Sequence, residues 1–155
     1  MKRKIISLAI IFIIVLIALT GCESKKAISV EEFDKVLNAK EYTVEENKEY
    51  YDTYIDILDG RKAKNSDKWE IDFYVLSGDK DAELMFEKDK NMLEVYKKGS
   101  AEIEIETTMP SYSMYQIVAN ERFGYVCKVG NTVLFVDTFE TNKDEIKAII
   151  EELGY

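Results

Sequence analysis

Glu102, Glu104 and Glu106 alternate along the stretch AEIEIETTM. On an extended strand they project from one face about 6.6–7 Å apart. That spacing suits a hard cation such as calcium, or a basic partner. A solvent-facing strand with cross-strand lysines opposite gives the same pattern. Glu70, Asp72 and Tyr74 alternate in KWEIDFYVLSG, on the side opposite Trp69, Ile71, Phe73 and Val75. Left uncovered, that face sets an aromatic among carboxylates, a surface for a basic peptide, a sugar or a protein partner. It draws on an unusual supply: the chain holds 10 tyrosines, Tyr50, Tyr51, Tyr54, Tyr112 and Tyr115 among them. Two cysteines, Cys22 and Cys127, complete the reactive inventory.

Histidine is absent from the 155 residues. This removes the usual general base, the commonest metal ligand and any Ser-His or Cys-His pair. No CxxC, HExxH, P-loop or glycine-rich fingerprint occurs. The expectation is a protein that is not an enzyme, with no catalytic residues, no metal site and no cofactor. Net charge is −9 and the isoelectric point about 4.7, which argues against nucleic acid as a partner.

The N-terminal stretch differs from the remainder. Lys2, Arg3 and Lys4 precede an apolar run, Ile5 to Leu19, broken only by Ser7. The run is short for a membrane span and suits a signal-peptide core. Leu19-Thr20-Gly21-Cys22 then resembles the lipobox of bacterial lipoproteins. The resemblance implies cleavage between Gly21 and Cys22, a diacylglyceryl thioether on Cys22 and attachment to the cell membrane on its extracytoplasmic side. An uncleaved apolar anchor or an ordinary signal peptide are the alternatives, and all three place the domain outside the cytoplasm. Loss of residues 1–21 removes three basic residues and leaves 18 against 30 acidic ones, a charge of −12. An anionic bilayer repels such a body, so lipid, with Lys25 and Lys26 beside it, must supply the attachment. From Cys22 to a helix start at Ser29 the tether reaches at most about 25 Å. With Cys22 acylated, Cys127 has no intrachain partner. It reads as a small buried hydrophobe on a strand, with a reactive thiol or an intermolecular bridge as alternatives.

Ser29-Val30-Glu31-Glu32 forms a capping box for a helix ending near Ala39 or Lys40. Tyr42-Thr43-Val44 reads as a short strand. KEYYDTYIDILDG fits strand or helix, with strand preferred, and Asp59-Gly60 opens a turn into the polar loop RKAKNSD. After the strand from Trp69, Asp79 caps a helix striped by Ala82, Met85, Phe86, Leu93 and Tyr96, closed by Gly99. The strands AEIEIETTM and YSMYQIVA follow, then a turn over Asn120 to Gly124 into YVCKV. Gly130-Asn131 fits a type II′ hairpin into VLFVDT. Thr141 or Asn142 caps a last helix, and Gly154 ends it.

These elements predict an α+β fold: an antiparallel sheet with two or three helices packed on one face, in an order that allows a duplicated helix-plus-strands unit. The expected organisation is a signal peptide over residues 1–21, a lipidated cysteine and tether over 22–28, and one domain over 29–155. WEIDFYVLSGDKDAELMFEKDK and GNTVLFVDTFETNKDEIKAIIEELGY resemble segments of a group of small lipoproteins from Gram-positive bacteria. That resemblance implies an envelope location and brings no activity with it. The expected role is a binding or accessory module for a protein or cell-envelope partner. The alternative is a small-molecule or cation-binding lipoprotein serving an uptake system.

Overall fold

The computed structural model describes residues 25–49, 54–97 and 101–155. Helix α1, Val30–Ala39, starts where the capping box places it: Ser29 Oγ accepts from the Glu32 backbone, and the Glu32 carboxylate accepts from Ser29 N–H at 2.9 Å. Val30, Phe33 and Leu37 form its buried face. Strands β1 (Thr43–Glu46), β2 (Ile57–Asn65) and β3 (Trp69–Leu76) make a first meander. Helix α2, Asp79–Glu94, follows and runs on into a 3-10 turn, Val95–Lys97. Strands β4 (Ile103–Met109), β5 (Tyr112–Ala119), β6 (Arg122–Val129) and β7 (Thr132–Phe139) form a second meander. Helix α3, Lys143–Leu153, ends at Gly154, whose φ of 80° favours glycine. All neighbouring strands are antiparallel, in the order β1-β2-β3-β7-β6-β5-β4.

The expected α+β class and antiparallel sheet are present, but the helices do not share one face. α1 and α3 cover one side and α2 covers the other. The cause lies in the central strands, which are apolar at both parities. On β3, Trp69, Ile71 and Phe73 meet α1 and α3, whereas Tyr74 and Leu76 lie buried under α2. On β7, Leu134 and Val136 face one way, and Val133 and Phe135 the other. A sheet solvated on one side carries polar residues at its second parity. The helix-then-meander order recurs, but α1 and α2 lie on opposite faces, so one layer is not repeated.

Several local boundaries also differ from the sequence reading. Arg61 to Asn65 belong to β2 rather than to a loop, because Ala63 is fully buried while Lys62 and Lys64 pair with Glu70 and Glu45 at 3.0 and 2.5 Å. The turn comes later, through Ser66 at φ 46°. Of the ambiguous tyrosine-rich stretch, residues 50–53 lie outside the described residues, as does Gly99. Strand pairing begins at Ile57. Asn120 and Glu121, at φ 52° and 62°, make a two-residue turn, which leaves Gly124 inside β6. A Cβ at Gly124 would stand 2.6 Å from Leu93 Cδ2, so the glycine lets α2 approach the sheet. Gly78 rather than Asp79 occupies the N-cap of α2. In the β6–β7 turn only Gly130 has positive φ, at 56°, as type II′ requires.

A charged knot fastens α3 to the first meander. Glu145 Oε1 accepts from the Tyr42 hydroxyl at 2.8 Å and from Asn65 Nδ2 at 2.9 Å. Burial works to raise the Glu145 carboxyl, but the bonds from Tyr42 and Asn65 outweigh it and hold the group below the usual carboxylate range. A carboxylate so depressed stabilises the fold above its unfolded pKa and loses that contribution as pH falls through the folded one. Glu145→Gln should therefore cost about 1–2 kcal/mol at neutral pH. In urea titrations the gap from wild type should narrow as pH falls below the ordinary glutamate pKa of about 4.3. A gap unchanged on acidification would assign the loss to packing instead.

Candidate functional site

The type II′ turn fixes the register of the β6–β7 hairpin, from Val129 opposite Thr132 to Arg122 opposite Phe139. At the open end of this hairpin the side chains assemble into a platform. Arg122 Nε and Nη2 donate to Asp137 Oδ1 at 3.2 and 2.5 Å, and the Tyr96 hydroxyl donates to Asp137 Oδ2 at 2.7 Å. The guanidinium carbon lies 4.9 Å from the Phe139 ring centroid and 5.4 Å from that of Tyr96. Arg122 is thus held by two aromatic rings and one carboxylate, an arrangement that lysine, with a compact point charge, cannot reproduce. Burial, then the bond to Asp137, raises the Tyr96 phenol and keeps it a donor. Asn120 Nδ2 fastens the Tyr96 carbonyl at 2.7 Å.

Phe139 stands 58% exposed above this support. Two open clefts flank it. One, of about 370 Å³, runs beside Arg122 along Ser66 to Glu70, and the other, of about 540 Å³, runs along Glu121, Glu140, Thr141 and Lys143. Arginine and aromatic side chains dominate the energetics of protein interfaces, and rigid support lowers the entropy lost on binding. The arrangement is suited to recognition. Sequence reading passed over it because Arg122 and Phe139 lie 17 positions apart. The signal was nonetheless available: once Gly130-Asn131 is taken as a two-residue turn, strand pairing places Arg122 opposite Phe139.

The residues singled out from sequence fall elsewhere. Glu104 bonds Lys97 at 2.6 Å and Glu106 bonds Lys90 at 2.5 Å, while Glu102 precedes β4 and is exposed. The balancing lysines come from α2 and its 3-10 extension, not from a neighbouring strand. The Lys97 bond also keeps the Glu104 carboxyl low. The other side of β4 carries exposed Ile103, Ile105 and Met109. Among the described residues no group of three or more carboxylate, cysteine or histidine side chains is placed to hold a metal ion.

Tyr74 is 4% exposed. Its hydroxyl accepts from Asn47 Nδ2 at 3.0 Å and donates to the Glu49 carbonyl at 3.4 Å. Asn47 Nδ2 also donates to Asp72 Oδ1 at 2.8 Å, and Lys62 spans Glu70 and Asp72 at 3.0 and 3.6 Å. Burial pushes the Asp72 carboxyl up against the opposing pull of Lys62 and Asn47. Tyr74 is therefore buried and Asp72 half-buried in one seam, and of the trio only Glu70 is fully exposed. Cys127 is fully buried on β6, with burial raising its thiol to about 11. Gly21 and Cys22 lie outside the described residues.

No protein-family model matches the chain, and no curated protein matches it. Among solved structures it is similar to a crystal structure described as a GTP binding regulator from Thermotoga maritima. The TM-score is 0.50 at 15% identity, over 84% of this chain and 93% of that one. At that identity the likeness concerns the fold alone.

Proposed function

We propose that the protein is a membrane-attached, extracytoplasmic binding module without catalytic activity, engaging a protein or cell-envelope partner through the Arg122–Phe139 platform. The observation that carries this reading is the exposed Phe139 ring seated on a guanidinium already fixed by Asp137 and Tyr96. An exposed aromatic with such support offers a partner area at low entropic cost. The open clefts beside it suit an extended macromolecular contact better than an enclosed small ligand. Attachment rests on the lipobox-like Leu19-Thr20-Gly21-Cys22. The neighbour's GTP binding is not carried over, since the chain has no glycine-rich phosphate loop.

A photo-crosslinking residue at Thr141, exposed beside Phe139, tests the reading in intact cells. A discrete adduct is expected at Thr141, lost in Phe139→Ser and absent when the same probe replaces exposed Lys147 on α3. Equal labelling at the two positions would overturn the platform as the partner surface. Cys22→Ala, in parallel, should release the chain or block its processing; unchanged retention with normal processing would rule out lipidation.

A further inference from the structure

The segment before α1, which the sequence presents as a free polar tether, is laid down on the domain. Lys25 Nζ sits 5.4 Å from the Tyr112 ring centroid. Ala27 and Ile28 pack against the core beneath α1 and α3. A Cβ at Gly130 would lie in ordinary contact with Ala27, 3.9 Å away, and Ala27 and Ile28 line one cleft with Asn131 and Thr132. The strap therefore crosses the Gly130-Asn131 end of β7, β6 and β5 and leaves the domain beside Tyr112. Lys25 lies only three positions after Cys22, a reach of at most about 11 Å. The Arg122–Phe139 platform lies at the opposite end of β6 and β7, about 25 Å away for strands of this length.

We infer that the strap orients the domain: the end bearing the Pro110-Ser111 and Gly130-Asn131 turns faces the lipid surface, and the Arg122–Phe139 end points away from it. This rests on N-terminal attachment as proposed above, and holds whether the anchor is lipid on Cys22 or the apolar run itself. A seven-residue free tether would allow the domain to tumble against the bilayer. A three-residue one, with the remaining four residues docked, ties one end down. Lys25, stacked on Tyr112 at the exit point, adds a positive charge where an otherwise acidic domain comes nearest to anionic headgroups.

The test uses the full chain, purified with its N-terminal anchor and reconstituted in phosphatidylglycerol–phosphatidylcholine vesicles containing a headgroup spin label. A fluorophore is placed singly at Ser111 or Asn131, and separately at Glu121 or Thr141, through cysteine substitution. Quenching at Ser111 and Asn131 should exceed that at Glu121 and Thr141 several-fold. A ten-residue Gly-Ser insertion between Ser24 and Lys25 should abolish the contrast. Equal quenching at both ends of the wild-type chain would overturn the orientation while leaving attachment standing, and so would a contrast that survives the insertion. A chain that fails to float with the vesicles would overturn the attachment reading and the orientation with it.

Discussion

Gly60→Ala should cost roughly 2–5 kcal/mol of folding stability, from steric overpacking together with lost buried hydrogen bonds. Gly60 lies within β2, opposite Tyr74. A Cβ there would stand 2.0 Å from the Asn47 carbonyl oxygen and 3.1 Å from Tyr74 Cδ1. A side chain could rotate away, but a backbone oxygen cannot. Asn47 would have to retreat, breaking its N–H bond to the Gly60 carbonyl at 3.0 Å. Its side-chain amide would leave with it, depriving both Asp72 and Tyr74 of a donor. Trp69 is the chain's single tryptophan and is buried, so its fluorescence during urea unfolding reports the loss. Gly78 supplies the comparison: a Cβ there meets nothing within 4 Å, and Gly78→Ala should cost no more than about 1 kcal/mol, the scale of an N-cap change. Equal losses in the two variants would mean that the Asn47 contact yields freely.

Phe73→Ala should remove about 3–5 kcal/mol, the range for truncating a buried aromatic. The ring is fully buried on β3, stacked on Phe33 at 5.0 Å and 9°, and meets Tyr155 edge-on at 6.1 Å. It thereby joins α1, the sheet and the residue that follows α3. A domain with about 5–15 kcal/mol in total would lose a large share of its margin. The same urea titration checks this. A loss below about 1.5 kcal/mol, the scale of a tolerated core swap, would show that the two helices are held to the sheet by other contacts.

Most elements were legible where one chemical signal dominated. Ser29 and Glu32 marked a helix start, Gly154 a helix end, and Gly130-Asn131 a hairpin. Layering was harder to read because alternation reports a strand but not the depth of its second face. Tyr74 and Glu70 share a side of β3, yet one lies under α2 and the other reaches solvent. A helix some residues away in sequence makes that difference. Composition misled at Arg61–Asn65, where the core residue is as small as Ala63 and lysines reach outward to carboxylates. The acidic ladder on β4 was visible as a pattern, but its lysine partners sit on α2, at separations that periodicity does not encode. The platform is the opposite case. Arg122 and Phe139 carry no local pattern, and only the pairing arithmetic from a correctly placed turn brings them together.

The position of β7 has a consequence for how the chain comes to be folded. It is the last strand to be synthesised, yet it lies between β3 and β6. Until it arrives, the two meanders are separate sheets, each ending in an unpaired, largely apolar edge at what will become the middle of the molecule. Sealing that seam requires contacts between residues 57 to 65 positions apart, from Val75 with Thr132 to Ile71 with Val136, and such long-range pairing is slow to form. A chain threaded across a membrane N-terminus first would therefore remain extensible for most of its passage and close only when its final quarter emerges. The same delay leaves two sticky edges open meanwhile. The N-terminal anchor proposed above would hold one end of each chain in place through that interval.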